Sequence, residues 1–257
     1  MRANEVRELF RKSQTWVNWD KTWDQFIYGS PDTEVKGIAC AWNPTNAALK
    51  EAAAKGLNLF ITHEPTFYDG FQGNPSAERM IIEKKKLLDE LGLTVLRCHD
   101  VWDRIPGGIC DSWADWFGHP VEPRPVEEVY KICLVGDQNF GELAKFVAEK
   151  VKPLGQNTVL TLGDFNKRVS RMAVGTGAGS WLPHMYELKP DVCIVTDDGY
   201  NSWDGGLWAV DLDFPVIMVN HCTSEKPGMM AMPGWLKERF PSIPIEYVDV
   251  HIALQAL

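Results

Sequence analysis

Three histidines lie where a run of apolar residues ends, and an acidic side chain follows each of them closely. They are His63, His99 and His221, in the segments LFITHEPTFYDG, TVLRCHDVWDR and VIMVNHCTSEKPG. Imidazole nitrogens combined with carboxylate oxygens are ligands that a pair of divalent metal ions takes in proteins. We therefore predict a metal site built from these three segments.

The first histidine is followed directly by Glu64 and then by Pro65. A proline disfavours the helical conformation in the residue before it. Glu64 and His63 can therefore diverge from one turn and offer two ligands.

The other two histidines each have a carboxylate four residues further along the chain. His99 is paired in this way with Asp103, and His221 with Glu225. Residues four apart share a face where the chain is helical, and in a tight loop they can still converge. For the second pair we expect a helix to begin only near Pro227, after Glu225. Surface hydrogen bonding explains most single pairs of this kind, but three pairs at three strand ends favour metal binding.

Composition limits the classes of partner that the chain can have. Its 257 residues are 45% apolar and 24% charged, which is typical of a globular protein. A net charge of -9 argues against nucleic acid, because no basic surface is available for phosphates. The run Lys84–Lys86 is interpreted as a solvated helix face. No apolar run approaches the roughly 20 residues that cross a bilayer, so we expect no membrane partner.

The cysteines indicate a reducing compartment. Most of the six lie in strand-like segments, and none forms a C-x-x-C pair. Buried, reduced thiols fit this pattern better than disulfides. The chain also starts with charged residues rather than a secretory signal. We therefore expect a cytoplasmic protein.

Short apolar strands alternate with helices along the chain, which predicts the α/β class. Three prolines within Gly118–Pro125 mark a boundary. We predict two α/β halves with helix-covered sheets, residues 1–124 and residues 125–257. The histidine segments and Thr196–Asp198 all follow strands, and open α/β sheets bind ligands at the carboxyl ends of their strands. The metal site is therefore expected in the cleft between the halves.

Several element boundaries are predicted from local signals. Asn43 is expected to cap a helix with Pro44 at its first position. A long helix over 76–91 should end at Gly92. Further helices are predicted over 105–117 and 228–239.

Two other features have a structural and a functional interpretation. The eleven tryptophans fit core packing or a subunit interface, with Trp102 and Trp203 best placed for a substrate pocket wall. The segment Gly175–Gly179 follows a strand and precedes a helix. It is either a tight turn or an anion site, and His184 could face the same cleft.

The chain resembles a known family in several segments at once. These are AAAKGLNLFITHEPTFY, the H-x-x-x-D of His99 and Asp103 with the glycines Gly107 and Gly108 after it, RMAVGTGAGSW and NHCTSEKPGM. Together they resemble the NIF-three-like dinuclear-metal proteins, often named type-two GTP cyclohydrolase I. The resemblance runs nearly end to end, and the combination of segments is specific although no single one is.

Position by position, the resemblance implies ligands for two divalent ions. They are His63, Asp103, His221 and Glu225, with His99 in or beside the set. Glu64 stands where the family usually has a second histidine, and a carboxylate there favours iron or manganese over zinc. Asp103 or Glu225 is the natural bridging group, with Asp100 as a competing candidate.

A second departure follows the strand DVCIV. The family commonly has a histidine there in a T-G-D-x-x-x-H-type segment, whereas Thr196–Trp203 contains none. Asp197, Asp198 or Tyr200 could take its place. The resemblance also implies a ring-shaped homo-oligomer, commonly a hexamer.

Two divalent ions about 4 Å apart can hold a water as hydroxide near neutral pH and polarise the bond it attacks. We therefore predict a metal-dependent hydrolase of a small anionic or nucleotide-like molecule, with Glu64 or Asp100 moving protons. Two alternatives stay open. One is a metal-storing, metal-delivering or regulatory binding protein, and the other is a protein whose metals only join its halves.

Overall fold

The computed structural model divides the chain into two compact units. Unit 1 comprises Met1–Ile105 and Met229–Val250, and unit 2 comprises Pro106–Gly228 and His251–Leu257. Residues 1–71, 73–125, 128–251 and 254 are described. Each unit contains one five-stranded sheet with helices, so the predicted α/β class is confirmed. The units follow a different division from the predicted domains, 1–124 and 125–257, because the chain passes from one unit to the other after residues 105, 228 and 250.

The strands are β1 (Phe26–Tyr28), β2 (Ile38–Ala41), β3 (Leu59–Thr62), β4 (Thr94–Arg97), β5 (Lys131–Asn139), β6 (Leu160–Leu162), β7 (Arg168–Val174), β8 (Val192–Thr196), β9 (Val216–Val219) and β10 (Ile245–Tyr247). The α-helices are α1 (Ala3–Ser13), α2 (Asn46–Ala54), α3 (Pro75–Leu91), α4 (Asp100–Arg104), α5 (Ile109–Trp116), α6 (Phe140–Val151), α7 (Leu182–Tyr186), α8 (Leu207–Asp211) and α9 (His221–Lys237). Among the described residues, no helix has the length and apolar character needed to cross a membrane.

The sheet of unit 1 has the strand order β1-β4-β3-β2-β10. Strands β10, β2, β3 and β4 are parallel, and β1 is antiparallel at the edge. Every residue of β2, β3 and β4 is buried, as expected for parallel strands covered on both faces. The carboxyl ends of β3 and β4 therefore lie side by side.

The sheet of unit 2 has the order β5-β7-β8-β9-β6. Its three central strands are parallel, and both edge strands are antiparallel to their neighbours. Helix α6 packs its apolar side on the core of this sheet through Phe140, Leu143 and Val147. The end of β8 leads into Asp197 and Asp198, and the end of β9 leads into His221.

Three predicted helix boundaries are wrong. The cap of α2 is Thr45, whose hydroxyl accepts the Ala48 N–H at 3.2 Å, rather than Asn43. The predicted helix 105–117 begins only at Ile109, as α5, because Gly107 takes a positive φ of 77° and separates α5 from α4. Helix α9 begins at His221 rather than at residue 228. The end of α3 is confirmed, since Gly92 takes the left-handed conformation there.

Two side chains are buried where the sequence favoured another environment. Lys84 is 4% exposed, with its ammonium 5.5 Å from the centre of the Tyr68 ring, so the interpretation of that lysine as solvated is wrong. Trp102 is fully buried against Phe10 and Trp235 and belongs to the core rather than to a pocket wall.

Candidate metal centre

Two clusters of side chains contain the predicted metal ligands. The first cluster, in unit 1, consists of His63, Glu64, His99 and Asp103. The second cluster, in unit 2, consists of Asp198, His221 and Glu225.

The sheet register positions the first cluster. Thr62 at the end of β3 lies opposite Arg97 at the end of β4. His63 is the next residue after β3, and His99 comes two residues after β4. Helix α4 then begins at once, and the Asp103 N–H donates to the His99 carbonyl at 3.0 Å. That one helical turn brings the Asp103 carboxylate back over the imidazoles.

The ligand atoms of the first cluster lie close enough to share an ion. The rings of His63 and His99 stack, with centroids 4.4 Å apart and planes 12° from parallel. Asp103 lies 3.3 Å from His63 Nε2 and 3.5 Å from His99 Nδ1. One ligand atom from each of these three residues falls within 4.8 Å of the other two. Atoms each about 2.0–2.2 Å from one ion are separated by up to roughly 4.4 Å, so small movements suffice.

Both imidazoles of the first cluster have Nδ1 next to an oxygen acceptor. His63 Nδ1 lies 3.2 Å from the Cys98 carbonyl oxygen, and His99 Nδ1 lies 2.9 Å from Asp100 Oδ1. Such a partner places the ring proton on Nδ1 and leaves the lone pair on Nε2 for a metal. The Nε2 atom of His99 is 4.0 Å from Glu64 Oε1, which puts the remaining carboxylate of the cluster on that side.

Asp100 supports His99 rather than reaching toward the other ligands. Its second oxygen accepts the Thr22 hydroxyl at 2.8 Å and the Trp23 N–H at 3.3 Å. Burial raises the pKa of Asp100, but the hydrogen bonds from His99 and Thr22 outweigh burial and lower it to about 2. The geometry therefore favours a positioning role for the side chain that the sequence proposed for proton transfer.

Sequence reasoning did not find two further supports of the first cluster. The buried carboxylate of Asp24 accepts the backbone N–H groups of His99 and Val101, and so holds the start of α4. Burial raises the pKa of Asp24, although its hydrogen bonds with Thr22 and the backbone act in the opposite direction. Arg97 Nε donates to the His63 carbonyl at 2.9 Å. The pattern Thr22-x-Asp24 before the short edge strand β1 was the available signal for Asp24.

The second cluster lies on the first turn of α9. His221 and Glu225 are four residues apart on one helix face, and Nε2 of the histidine is 3.0 Å from the carboxylate. His221 Nδ1 lies 2.7 Å from Asp198 Oδ2, just after β8. Burial raises the pKa of Asp198, but the hydrogen bonds from His221 and Thr196 and the electrostatic attraction of His221 together outweigh burial and lower the pKa. In His221, as in the other two histidines, Nδ1 is therefore occupied by an oxygen partner and Nε2 faces a carboxylate, here that of Glu225.

The earlier start of α9 has a local cause. Asp197 Oδ1 accepts the His221 N–H at 2.8 Å, and Asp197 Oδ2 accepts the Asn220 side-chain amide at 2.8 Å. A carboxylate at a helix N-terminus satisfies a backbone donor and interacts favourably with the helix dipole. Pro227 lies in the second turn and does not prevent the first turn from forming.

The glycine-rich loop packs directly on the second cluster. Gly177 has a positive φ of 51°, and a Cβ placed there would lie 2.6 Å from His221 Nε2 and still closer to Glu225 Oε1. Its N–H donates to Ser224 Oγ at 3.2 Å. The segment Gly175–Gly179 is therefore a tight turn, and only a glycine at position 177 lets it approach His221 and Glu225 this closely.

Neither cluster contains a cysteine. All six cysteines are buried and free, which confirms the expected absence of disulfides. Burial raises the pKa of Cys98, the residue next to His99, well above its ordinary value. The donor set is thus imidazole nitrogen and carboxylate oxygen, which suits iron, manganese or zinc.

A profile of the family Duf34/NIF3 (NGG1p interacting factor 3) matches residues 1–253. The chain belongs to this family. The predicted resemblance to the NIF-three-like proteins is thereby confirmed. Several relatives of this chain are named GTP cyclohydrolase 1 type 2 homolog. The one from Clostridium perfringens is 21% identical over 256 residues, covering 96% of this chain and 95% of the relative. The one from Lactococcus lactis is 25% identical over 195 residues, covering 71% and 74%.

Two solved structures share the fold of this chain over nearly its whole length. The Bacillus cereus protein related to NIF3 has a TM-score of 0.79 at 13% identity, covering 98% of both chains. Reduced HcgD from Methanocaldococcus jannaschii has a TM-score of 0.71 at 20% identity, covering 97% of this chain and 98% of that one. At these identities the likeness concerns the fold alone.

Proposed function

We propose that this Duf34/NIF3 protein is a dinuclear metal-dependent hydrolase of a small anionic or nucleotide-like molecule. One observation carries the proposal. In His63, His99 and His221 the Nδ1 atom lies next to an oxygen, and the Nε2 atom lies within 4.0 Å of a carboxylate oxygen. This arrangement is typical of histidines in metal sites. There the ring nitrogen that does not bind the metal donates to an oxygen, which fixes the tautomer and the orientation of the ring.

In this proposal both clusters hold one pair of divalent ions. Such ions supply Lewis acidity that activates water and polarises the bond under attack. The residues would then have separate tasks: His63, His99 and His221 would bind the ions through Nε2, and Asp103 or Glu225 would be the carboxylate shared between them. Glu64 is the candidate for holding a proton during the reaction, since Asp100 is occupied by His99 and Thr22.

Manganese loading tests the shared pair. We expect two ions per chain by elemental analysis and an exchange-coupled electron paramagnetic resonance signal, which requires neighbouring ions. His63→Ala is expected to abolish the coupling, whereas His119→Gln, which lies outside both clusters and packs on Phe146, should leave it intact. Two uncoupled ions in the wild-type protein would overturn the shared centre.

Turnover tests the hydrolase. The protein loaded with iron, manganese or zinc is offered nucleotides, phosphate esters and heterocyclic amides, and His63→Ala should lower any turnover at least a hundredfold. The metal-storing or regulatory alternative predicts ions that exchange readily with chelators and no turnover of any substrate. A fully loaded protein that hydrolyses nothing in the panel would favour that alternative over ours.

A further inference from the structure

A small cavity adjoins the first cluster in unit 1. It has a volume of about 150 Å³, and Asp100 forms part of its wall. The same Asp100 lies 2.9 Å from His99 Nδ1, so one side chain separates the cavity from a predicted metal ligand. Binding sites for whole drug-sized molecules usually measure about 300–1,000 Å³. This cavity therefore fits one small functional group of a larger molecule.

Two cations line this cavity, although the chain as a whole has a net charge of -9. They are Lys21 and Arg104. Within the part of the chain that the structure describes, no carboxylate lies at ion-pair distance from either of them. Arg104 instead stacks over the Trp16 ring, 5.4 Å from its centroid. The indole holds the guanidinium in place without neutralising it.

One anionic side chain, Asp100, also faces the cavity, so the charged groups there sum to about +1. The Asp100 oxygens accept from His99, Thr22 and the Trp23 N–H. Its charge is therefore directed into those hydrogen bonds, whereas the two cations remain available. Asn18 adds a side-chain amide to the cavity wall.

We propose that this cavity binds the phosphoryl group of the substrate whose reacting bond lies at the first cluster, an inference that rests on the hydrolase proposed above. A phosphoryl dianion offers three oxygens, enough for a lysine ammonium and an arginine guanidinium together. A carboxylate has only two oxygens and a single charge. The size of the cavity and its two cations favour the phosphoryl group.

The binding of inorganic phosphate to the full-length protein, measured by isothermal titration calorimetry at fixed ionic strength, tests the inference. The double variant Lys21→Gln/Arg104→Gln removes both cations, and Lys36→Gln/Lys50→Gln removes two exposed lysines elsewhere in unit 1 as a matched control. We expect the Kd for phosphate to be at least tenfold higher in Lys21→Gln/Arg104→Gln and to change less than twofold in Lys36→Gln/Lys50→Gln. Acetate should bind the wild type at least tenfold more weakly than phosphate.

Unchanged phosphate binding in Lys21→Gln/Arg104→Gln, or acetate binding as tight as phosphate, overturns the subsite. Should the double variant fail to fold, Lys21→Gln alone serves, because Lys21 is exposed. The two proposals fail differently. Phosphate binding that depends on Lys21, in a protein without turnover, removes the hydrolase and leaves the subsite. Turnover of phosphate esters with an unchanged KM in the variant removes the subsite and leaves the hydrolase.

Discussion

The two clusters place their histidines by different means. In the first cluster, His63 and His99 follow neighbouring parallel strands, so the register of β3 against β4 sets their separation. In the second, His221 and Glu225 share one face of α9, so a single helical turn is sufficient. The first cluster therefore depends on pairing between distant parts of the sequence. The second depends on what packs against one turn.

This difference tells where each cluster is vulnerable. The first has hydrogen-bonding supports from Asp24, Asp100 and Arg97, and losing one leaves the others in place. The second is closed by the backbone of Gly177, which no side chain can replace. A single methyl group should therefore disturb the second cluster more than the loss of one support disturbs the first.

Gly177→Ala should have the largest effect. The new Cβ overlaps His221 and Glu225, and the positive φ disfavours any side chain there. We expect on the order of a hundredfold weaker metal binding, the upper range found when the surroundings of a metal ligand are disturbed. Competition with a chromogenic chelator measures the affinity.

The neighbouring Gly179 provides the control for this substitution. A Cβ at Gly179 meets no atom within 4 Å, and its φ is not positive. Gly179→Ala should bind metal like the wild type. Equal affinities of the two alanine variants would remove the steric explanation of the second cluster.

Matched substitutions of the two aspartates that hold Nδ1 should have a smaller effect. Asp100→Asn in the first cluster and Asp198→Asn in the second keep the shape of the side chain but remove its charge. We expect metal binding to weaken by about tenfold in each case. In the protein before metal loading, the histidine ¹⁵N resonances should show a larger population with the proton on Nε2.

Asp32→Asn and Asp211→Asn, both at exposed positions outside the clusters, control for the change in net charge. An unchanged tautomer in Asp100→Asn would mean that Asp100 only fills space. A shift in only one of the two variants would show that the clusters differ in their supports as well as in their backbone.

The contrast also explains what the sequence could predict. The apolar runs before His63 and His99 predicted strands of an α/β fold, in which ligands bind at the carboxyl ends of the strands. Glu64 and Asp103 were found because spacing along the chain is enough to place them. The same local logic placed Glu225 with His221, although the helix that carries them starts earlier than Pro227 indicated.

The supports could not be predicted in this way. Asp24 reaches His99 from 75 residues away, and only the pairing of β1 with β4 brings it there. Asp198 was one of three candidates in its segment, and nothing local separates it from its neighbour Asp197. The close approach of Gly177 to Glu225 likewise depends on tertiary packing, so the glycine-rich segment had two interpretations until the fold was known.

Two buried lysines extend the comparison to stability. Burial lowers the pKa of Lys84 in unit 1 to about 8, and the Tyr68 ring is its neighbour. In unit 2, Lys226 is 2% exposed and donates to the Leu154 carbonyl at 3.0 Å. Lys84→Met should raise the free energy of unfolding at pH 7 by on the order of 1–2 kcal/mol, because a buried charge is removed. Lys226→Met should lower it by about 1–3 kcal/mol, because a buried carbonyl loses its donor.

The pH dependence separates these two cases. Between pH 8 and pH 10.5 the unfolded chain keeps a proton on Lys84 that the folded protein has lost, so the stability contributed by this group rises with pH across that window. The advantage of Lys84→Met is therefore full below pH 8 and disappears as the pH approaches 10.5. Urea unfolding curves at pH 7, 9 and 10.5 measure it. An advantage that stayed constant over this range would show that Lys84 does not lose its proton on folding, and that its ring contact, rather than burial, governs its charge.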